Sequence, residues 1–391
     1  MRMRVRKALL VGLAATVGVY ACLLHGQDWD MIAVLDSMRE LPAGLAALPP
    51  LTAPTDNPQS SQKIALGKAL FFDKQLSGDR SLSCSTCHDP EKGFSDGKPR
   101  AIGFNGKELL RHSPTLLNAA YNSLQFWDGR AASLEEQARG PITSAAEMNL
   151  ADEAELTRRL QGDPRYPGTF QQVFGEGPNL TNVAKAIAAY ERTLVTRNSR
   201  FDQYALGNKK ALTHQEKVGL SLFVGKARCS QCHSGPNFTD NKFYNLGVAE
   251  ASDSGRYGIS KLAEDLGAFK TPGLRDLARH APYMHDGSLA TLEAVIDYYD
   301  RGGDEAKNKS KLLLKLDLTQ EEKRALLAFL TSLNGELPRQ PSNRKVVRTK
   351  KDQDIRPSGD RMIKPSSRRT VCGRESVEMG DPACPDKWTE F

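Results

Sequence analysis

The stretch "CSTCH" at residues 84–88, repeated as "CSQCH" at residues 229–233, decides how the chain is read. In each copy two residues separate a pair of cysteines, and a histidine directly follows the second. Such a cluster can serve a zinc site, a disulfide, a redox dithiol or an attached haem. Zinc would need a second ligand pair further on, and neither Cys87 nor Cys232 is followed by a suitable His or Cys pair. A redox dithiol has no use for the adjacent histidine. Covalent c-type haem uses all three residues, because the cysteines form thioethers with the vinyl groups and the histidine turns under the iron. The two motifs therefore predict two covalently bound haem c groups. Cys84, Cys87 and His88 would hold one, and Cys229, Cys232 and His233 the other, with His88 and His233 as iron ligands.

The flanking text echoes as well. Both motifs are preceded by the end of an apolar helix and followed by Phe-Ser/Thr-Asp, at Phe94 and at Phe238, as in a duplicated cytochrome unit. Between and after the motifs, apolar residues recur at three- and four-residue spacing over 134–161, 182–196, 214–223, 292–299 and 319–333, which predicts helices. The last carries Thr319 with Glu322 three residues on, a capping box. Few period-two runs occur, so the fold class is mainly α: two cytochrome c-like haem domains with long loops.

At 391 residues, 39% hydrophobic and 26% charged, the chain has material for about two domains. Its net charge of +7 is concentrated in the first seven residues and in the tail after Leu337, so no nucleic-acid partner is expected. The head "MRMRVRK" and the apolar run Ala8–Leu24 form a secretory signal over residues 1–26. An uncleaved membrane anchor stays open as an alternative, and Cys22 after Val19-Tyr20-Ala21 weakly resembles a lipoprotein cysteine. All three readings predict export and a periplasmic protein, which suits haem attachment outside the bacterial cytoplasm. Residues 27–60 read as a Pro/Ala-rich surface linker, 61–205 as the N-terminal haem domain and 206–338 as the C-terminal one. Residues 339–391 read as a disordered tail in which Cys372 and Cys384 pair.

Four separated motifs then carry a resemblance: CSTCH, "QFWDGRAASLEEQARGPITSAAEMN", CSQCHSG and "APYMHDGSLATLEAVIDYY". In their order and intervals, over residues 57–338, the chain resembles the bacterial di-haem cytochrome c peroxidases and their relative MauG. The resemblance implies that hydrogen peroxide reacts at the N-terminal haem, with Glu147 as distal acid or base and Gln137 as distal amide. Trp127 falls on the tryptophan between the haems, where an indole passes electrons by hopping. The position of a blocking distal histidine is Phe104, which cannot ligate iron, so the distal site is expected to be open; His112 is the nearby substitute.

At the second haem, Tyr299 falls where peroxidases place a methionine ligand and MauG a tyrosine, with Met284 and Tyr298 as rivals. A phenolate there lowers the potential relative to a thioether. The family's inter-haem calcium site matches His112, with the His280 and Pro282 carbonyls; imidazole suits calcium poorly, so calcium is doubtful and carbonyl or water ligation stays open. Ala227 and Arg228 stand where MauG has a tryptophan near its protein substrate, against a methylamine dehydrogenase substrate. The implied partners are a small redox protein (cytochrome c or cupredoxin) or a protein substrate. Two alternatives to a peroxidase remain: MauG-like oxidation of aromatic residues in a partner, and a non-enzymatic di-haem electron carrier.

Overall fold

The computed structural model describes residues 31–248 and 253–338. The signal, Cys22 and the tail with Cys372 and Cys384 lie outside the described residues. In chain order the helices are α1 (Met31–Ser37), α2 (Ser61–Phe71), α3 (Cys84–Cys87), α4 (Leu134–Thr143), α5 (Glu153–Gln161) and α6 (Pro167–Phe174). There follow α7 (Leu180–Glu191), α8 (Arg200–Ala205), α9 (His214–Val224), α10 (Tyr257–Ser260), α11 (Leu292–Asp300) and α12 (Gln320–Ser332). The strands β1 (Phe243–Tyr244) and β2 (Phe269–Lys270) pair antiparallel, with Phe243 opposite Lys270. The architecture is mainly α, as the periodicity predicts.

Two large apolar clusters form the core. The first draws its buried residues from Leu66 to Leu194, including Leu70, Phe71, Phe170 and Ile187. The second combines Leu35, Leu41 and Leu45 with residues from Phe201 to Leu333. Each contains a helix pair in backbone contact. A Cβ added at Gly67 in α2 would lie 1.8 Å from the Ala186 carbonyl oxygen in α7, and one at Gly219 in α9 would lie 2.0 Å from that of Ala325 in α12. Only glycine allows axes this close, and both glycines stand on the helix that leads into a Cys-x-x-Cys-His motif. The duplication seen in the sequence is thus repeated in packing.

Two expected boundaries shift. Residues 31–45, read as part of a surface linker, instead bury Leu35, Leu41 and Leu45 in the second core. Burying a leucine is worth roughly 1.5–3 kcal/mol, so three of them are enough to draw this segment onto a domain. Helix α8, read with the N-terminal half, also packs into the second core through Phe201 and Tyr204.

The helix expected over 134–161 is two helices. Pro141 lacks an N–H, the last turn of α4 is weakened, and the chain turns out at Ser144. The carbonyls left open by the break accept from the returning strand: Met148 N–H donates to Pro141 O at 3.0 Å and Leu150 N–H to Ile142 O at 2.8 Å. This return loop carries Glu147. The capping box at Thr319 forms as expected, with Thr319 N–H donating to the Glu322 carboxylate at 2.7 Å and Glu322 N–H to the Thr319 hydroxyl at 3.2 Å.

Candidate active site

A cavity of about 1020 Å³ runs through the protein and is lined by both Cys-x-x-Cys-His motifs. That is the upper end of the range for small-molecule pockets, and leucines from both halves form much of the wall. Burial pushes the thiol of Cys87 up to about 11 and that of Cys229 up to about 12.

Both motif histidines are built alike. His88 Nδ1 lies 3.1 Å from Phe94 O and His233 Nδ1 lies 3.0 Å from Phe238 O. A carbonyl only accepts, so Nδ1 carries the hydrogen and Nε2 keeps its lone pair. Burial lowers both pKa values, favouring this neutral form. Each carbonyl is aimed by an unusual backbone: Phe94 and Phe238 adopt φ of 58° and 55°, a region that costs a non-glycine residue energy. Their rings, 2% and 0% exposed, are anchored in the two cores. The Phe-Ser/Thr-Asp echo is thus the device that orients each histidine.

The cavity is also lined by Gln137 from α4 and by Glu147 on the return loop. Glu147 lies close enough to Cys87 to raise its pKa, though burial and Asp96 act more strongly. Phe104 N–H donates to Ala146 O at 3.1 Å, holding the 103–104 turn against the loop that bears Glu147. Around the second motif, Tyr299 from α11 joins the wall. Burial, then Cys229 and Cys232, push its phenol pKa up, and among the described residues its hydroxyl has no hydrogen bond. The rival Tyr298 has its hydroxyl engaged, donating to Leu246 O at 2.8 Å and accepting from Asp304 N–H at 3.2 Å. Met284 also lines the cavity.

Trp127 stands between the halves. Its indole Nε1–H donates to His112 O at 3.0 Å, and its carbonyl accepts from Lys270 N–H at 2.8 Å. His112 N–H in turn donates to His285 O at 2.7 Å. Arg111 clamps the same junction, giving 2.7 Å and 2.8 Å bonds to the two oxygens of Asp253 and a 2.7 Å bond to Asp128. His112, considered from sequence as an exposed loop residue or a substitute ligand, is 3% exposed. Its Nδ1 lies 2.7 Å from Lys98 O and its Nε2 3.3 Å from Ser95 Oγ, so both nitrogens face polar groups of the protein.

Two cavity residues escaped the sequence reading. Glu191, on α7, is 4% exposed; burial raises its carboxyl to about 8, and Oε2 has no hydrogen-bond partner. Lys270, in β2, is 7% exposed. Each looks like an ordinary charge in a sequence with no signal of burial; only the fold turns them inward.

Comparison with known proteins agrees with this geometry. Residues 61–210 match the family described as di-haem cytochrome c peroxidase. The cytochrome-c peroxidase IdrP1 of Pseudomonas sp. (strain SCT) is 41% identical over 328 residues, covering 75% of this chain and 86% of the relative. The methylamine utilization protein MauG of Methylorubrum extorquens is 44% identical over 287 residues, covering 72% and 81%. Among solved structures, a MauG-like protein associated with microbial copper homeostasis superposes with a TM-score of 0.70 at 35% identity, covering 74% of this chain and 94% of that one. With two Cys-x-x-Cys-His motifs on one cavity and relatives of this similarity, the chain belongs to the di-haem cytochrome c peroxidase and MauG family of peroxidase-type oxidoreductases.

Proposed function

We propose that this protein is an exported di-haem peroxidase in which hydrogen peroxide reacts at the first site and electrons arrive through the second. The observation that carries the reading is one cavity lined by both motifs together with Gln137, Glu147 and Tyr299, with Glu147 near Cys87 and Tyr299 near Cys229 and Cys232. Covalent haem fits both sites: two free thiols, a histidine with Nε2 unengaged and a largely apolar wall are present twice. Haem c held there supplies the iron that exchanges electrons with peroxide.

The net reaction takes two electrons and two protons per peroxide, breaks the O–O bond and releases two waters. The chain's part is proton handling and orientation. Glu147 relays a proton between the peroxide oxygens, and the Gln137 amide steadies the departing oxygen. A pure electron carrier has no use for this pair. Phe104 carries no ligand and both His112 nitrogens are engaged, which supports an open distal side. An imidazole has no oxygen to offer calcium, so a calcium ion there would be held by the His280 and Pro282 carbonyls and by water.

Tyr299 is the residue that would hold the second haem's iron together with His233, in place of methionine. A phenolate stabilises oxidised iron, and this favours a MauG-like variant in which a protein substrate, rather than a small cytochrome or copper protein, supplies the electrons. Export through residues 1–26 to the periplasm belongs to the same proposal.

The test is to add one equivalent of peroxide to the fully ferric protein and follow the visible and near-infrared spectra. Rapid change at both haems is expected. Reaction only after one haem has been reduced would overturn the open distal site and the Tyr299 assignment together.

A further inference from the structure

Lys270 is a buried lysine in β2. It is 7% exposed and lines the cavity. Among the described residues its ammonium makes no hydrogen bond or ion pair. Three arginines on the cavity wall are matched by carboxylates, Arg111 by Asp128 and Asp253, Arg130 by Asp128, and Arg275 by Asp202. An ammonium taken out of water without a counter-charge costs several kcal/mol, so folding retains one only where something pairs with it. Burial pulls its pKa down to about 8, and Asp240 acts weakly in the other direction.

Placement narrows the choice of partner. Lys270 precedes Thr271 and Pro272, and the Pro272 carbonyl acts on the His233 ring. Asp240, the acid that acts on Lys270, also acts on Cys232 and His233. The side chain therefore belongs to the second haem's surroundings, at the edge where its own N–H meets Trp127 O. The groups haem brings into such a wall that carry full negative charge are its two propionates.

We propose that Lys270 is the counter-ion of a propionate of the second haem and a positioning residue for that haem's potential. The inference rests on the haem reading above. With its ammonium paired, the carboxylate stays ionised, and the cation favours the electron-rich ferrous state.

The experiment compares the haem-loaded wild type with Lys270→Met, Lys270→Gln and Lys270→Arg. Haem content and redox titrations at several pH values are measured for each. Wild type must first show two haems per chain; fewer would overturn the haem reading itself. In Lys270→Met and Lys270→Gln the second haem is expected to be about tenfold harder to reduce at pH 8, which is about 59 mV for a one-electron couple. That gap from wild type closes toward acidic pH as the orphaned propionate takes up a proton, while Lys270→Arg stays near wild type. Taking differences removes the contributions of Asp240, Tyr244 and Tyr299, which all variants share. An unchanged potential would overturn the proposal. So would a gap equal at every pH, since a nearby but unpaired charge would produce it. If Lys270→Met fails to load two haems, the Lys270→Gln and Lys270→Arg pair is read in its place.

Discussion

At the scale of single residues, the site is a set of side chains each left with one unused capacity. Among the described residues, Nε2 of His88 and of His233, the Tyr299 hydroxyl and the Glu147 carboxylate make no hydrogen bond, while the Tyr298 hydroxyl is engaged and both His112 nitrogens face polar groups. Glu147→Gln keeps the shape and removes the proton relay, so the rate of reaction with peroxide should fall by about 10²–10⁴-fold. Stopped-flow spectroscopy at matched haem content checks this, and an unaltered rate would remove Glu147 from the chemistry. Sequence alone singled out the haem-binding cysteines and histidines, because a covalent cofactor demands fixed spacing. It singled out Tyr299 and Glu147 only through motif register. Lys270 and Glu191 were illegible, because whether a charge is buried is decided by chain segments far away in sequence.

At the scale of elements, close helix contacts set where the motifs stand. Gly219→Ala pushes a methyl into the Ala325 carbonyl, 2.0 Å from the new Cβ. Overpacking of this kind typically costs about 1–3 kcal/mol. Thermal unfolding of the haem-loaded protein, followed by circular dichroism, should show a lowered midpoint. Gly168→Ala is the control, since nothing lies within 4 Å of its Cβ; it should be neutral or gain up to about 1 kcal/mol. Equal behaviour of the two variants would refute the close-contact account. The helices were largely legible from their periodicity. The break after Thr143 was less so, because the apolar spacing continues across it and only Pro141 hints at an end. That break matters most for function, as it creates the loop that brings Glu147 to the cavity.

At the scale of the whole molecule, the two halves share one cavity and are tied across it by Arg111, Asp128 and Asp253, with Trp127 at the junction. Trp127→Phe removes the indole that bridges them. Electron exchange between the haems should slow at least about tenfold, a loss of roughly 1.4 kcal/mol in the barrier, while both haems stay bound. Flash-initiated or stopped-flow exchange measured at each haem's own absorption band tests this. The same exchange rate in the variant would mean that the route runs elsewhere.

The hydrogen bond from the indole of Trp127 has a chemical consequence. Its Nε1–H points at the backbone carbonyl of His112, an acceptor far too weakly basic to take a proton. An indole that gives up an electron here therefore keeps its hydrogen, and the charge it carries is undone when the electron returns. Beside a carboxylate the same ring would lose the proton, become a neutral radical and need rescue before it could work again. In the bridging role that the resemblance implies for it, Trp127 faces an amide oxygen and so can pass electrons in either direction without moving a proton.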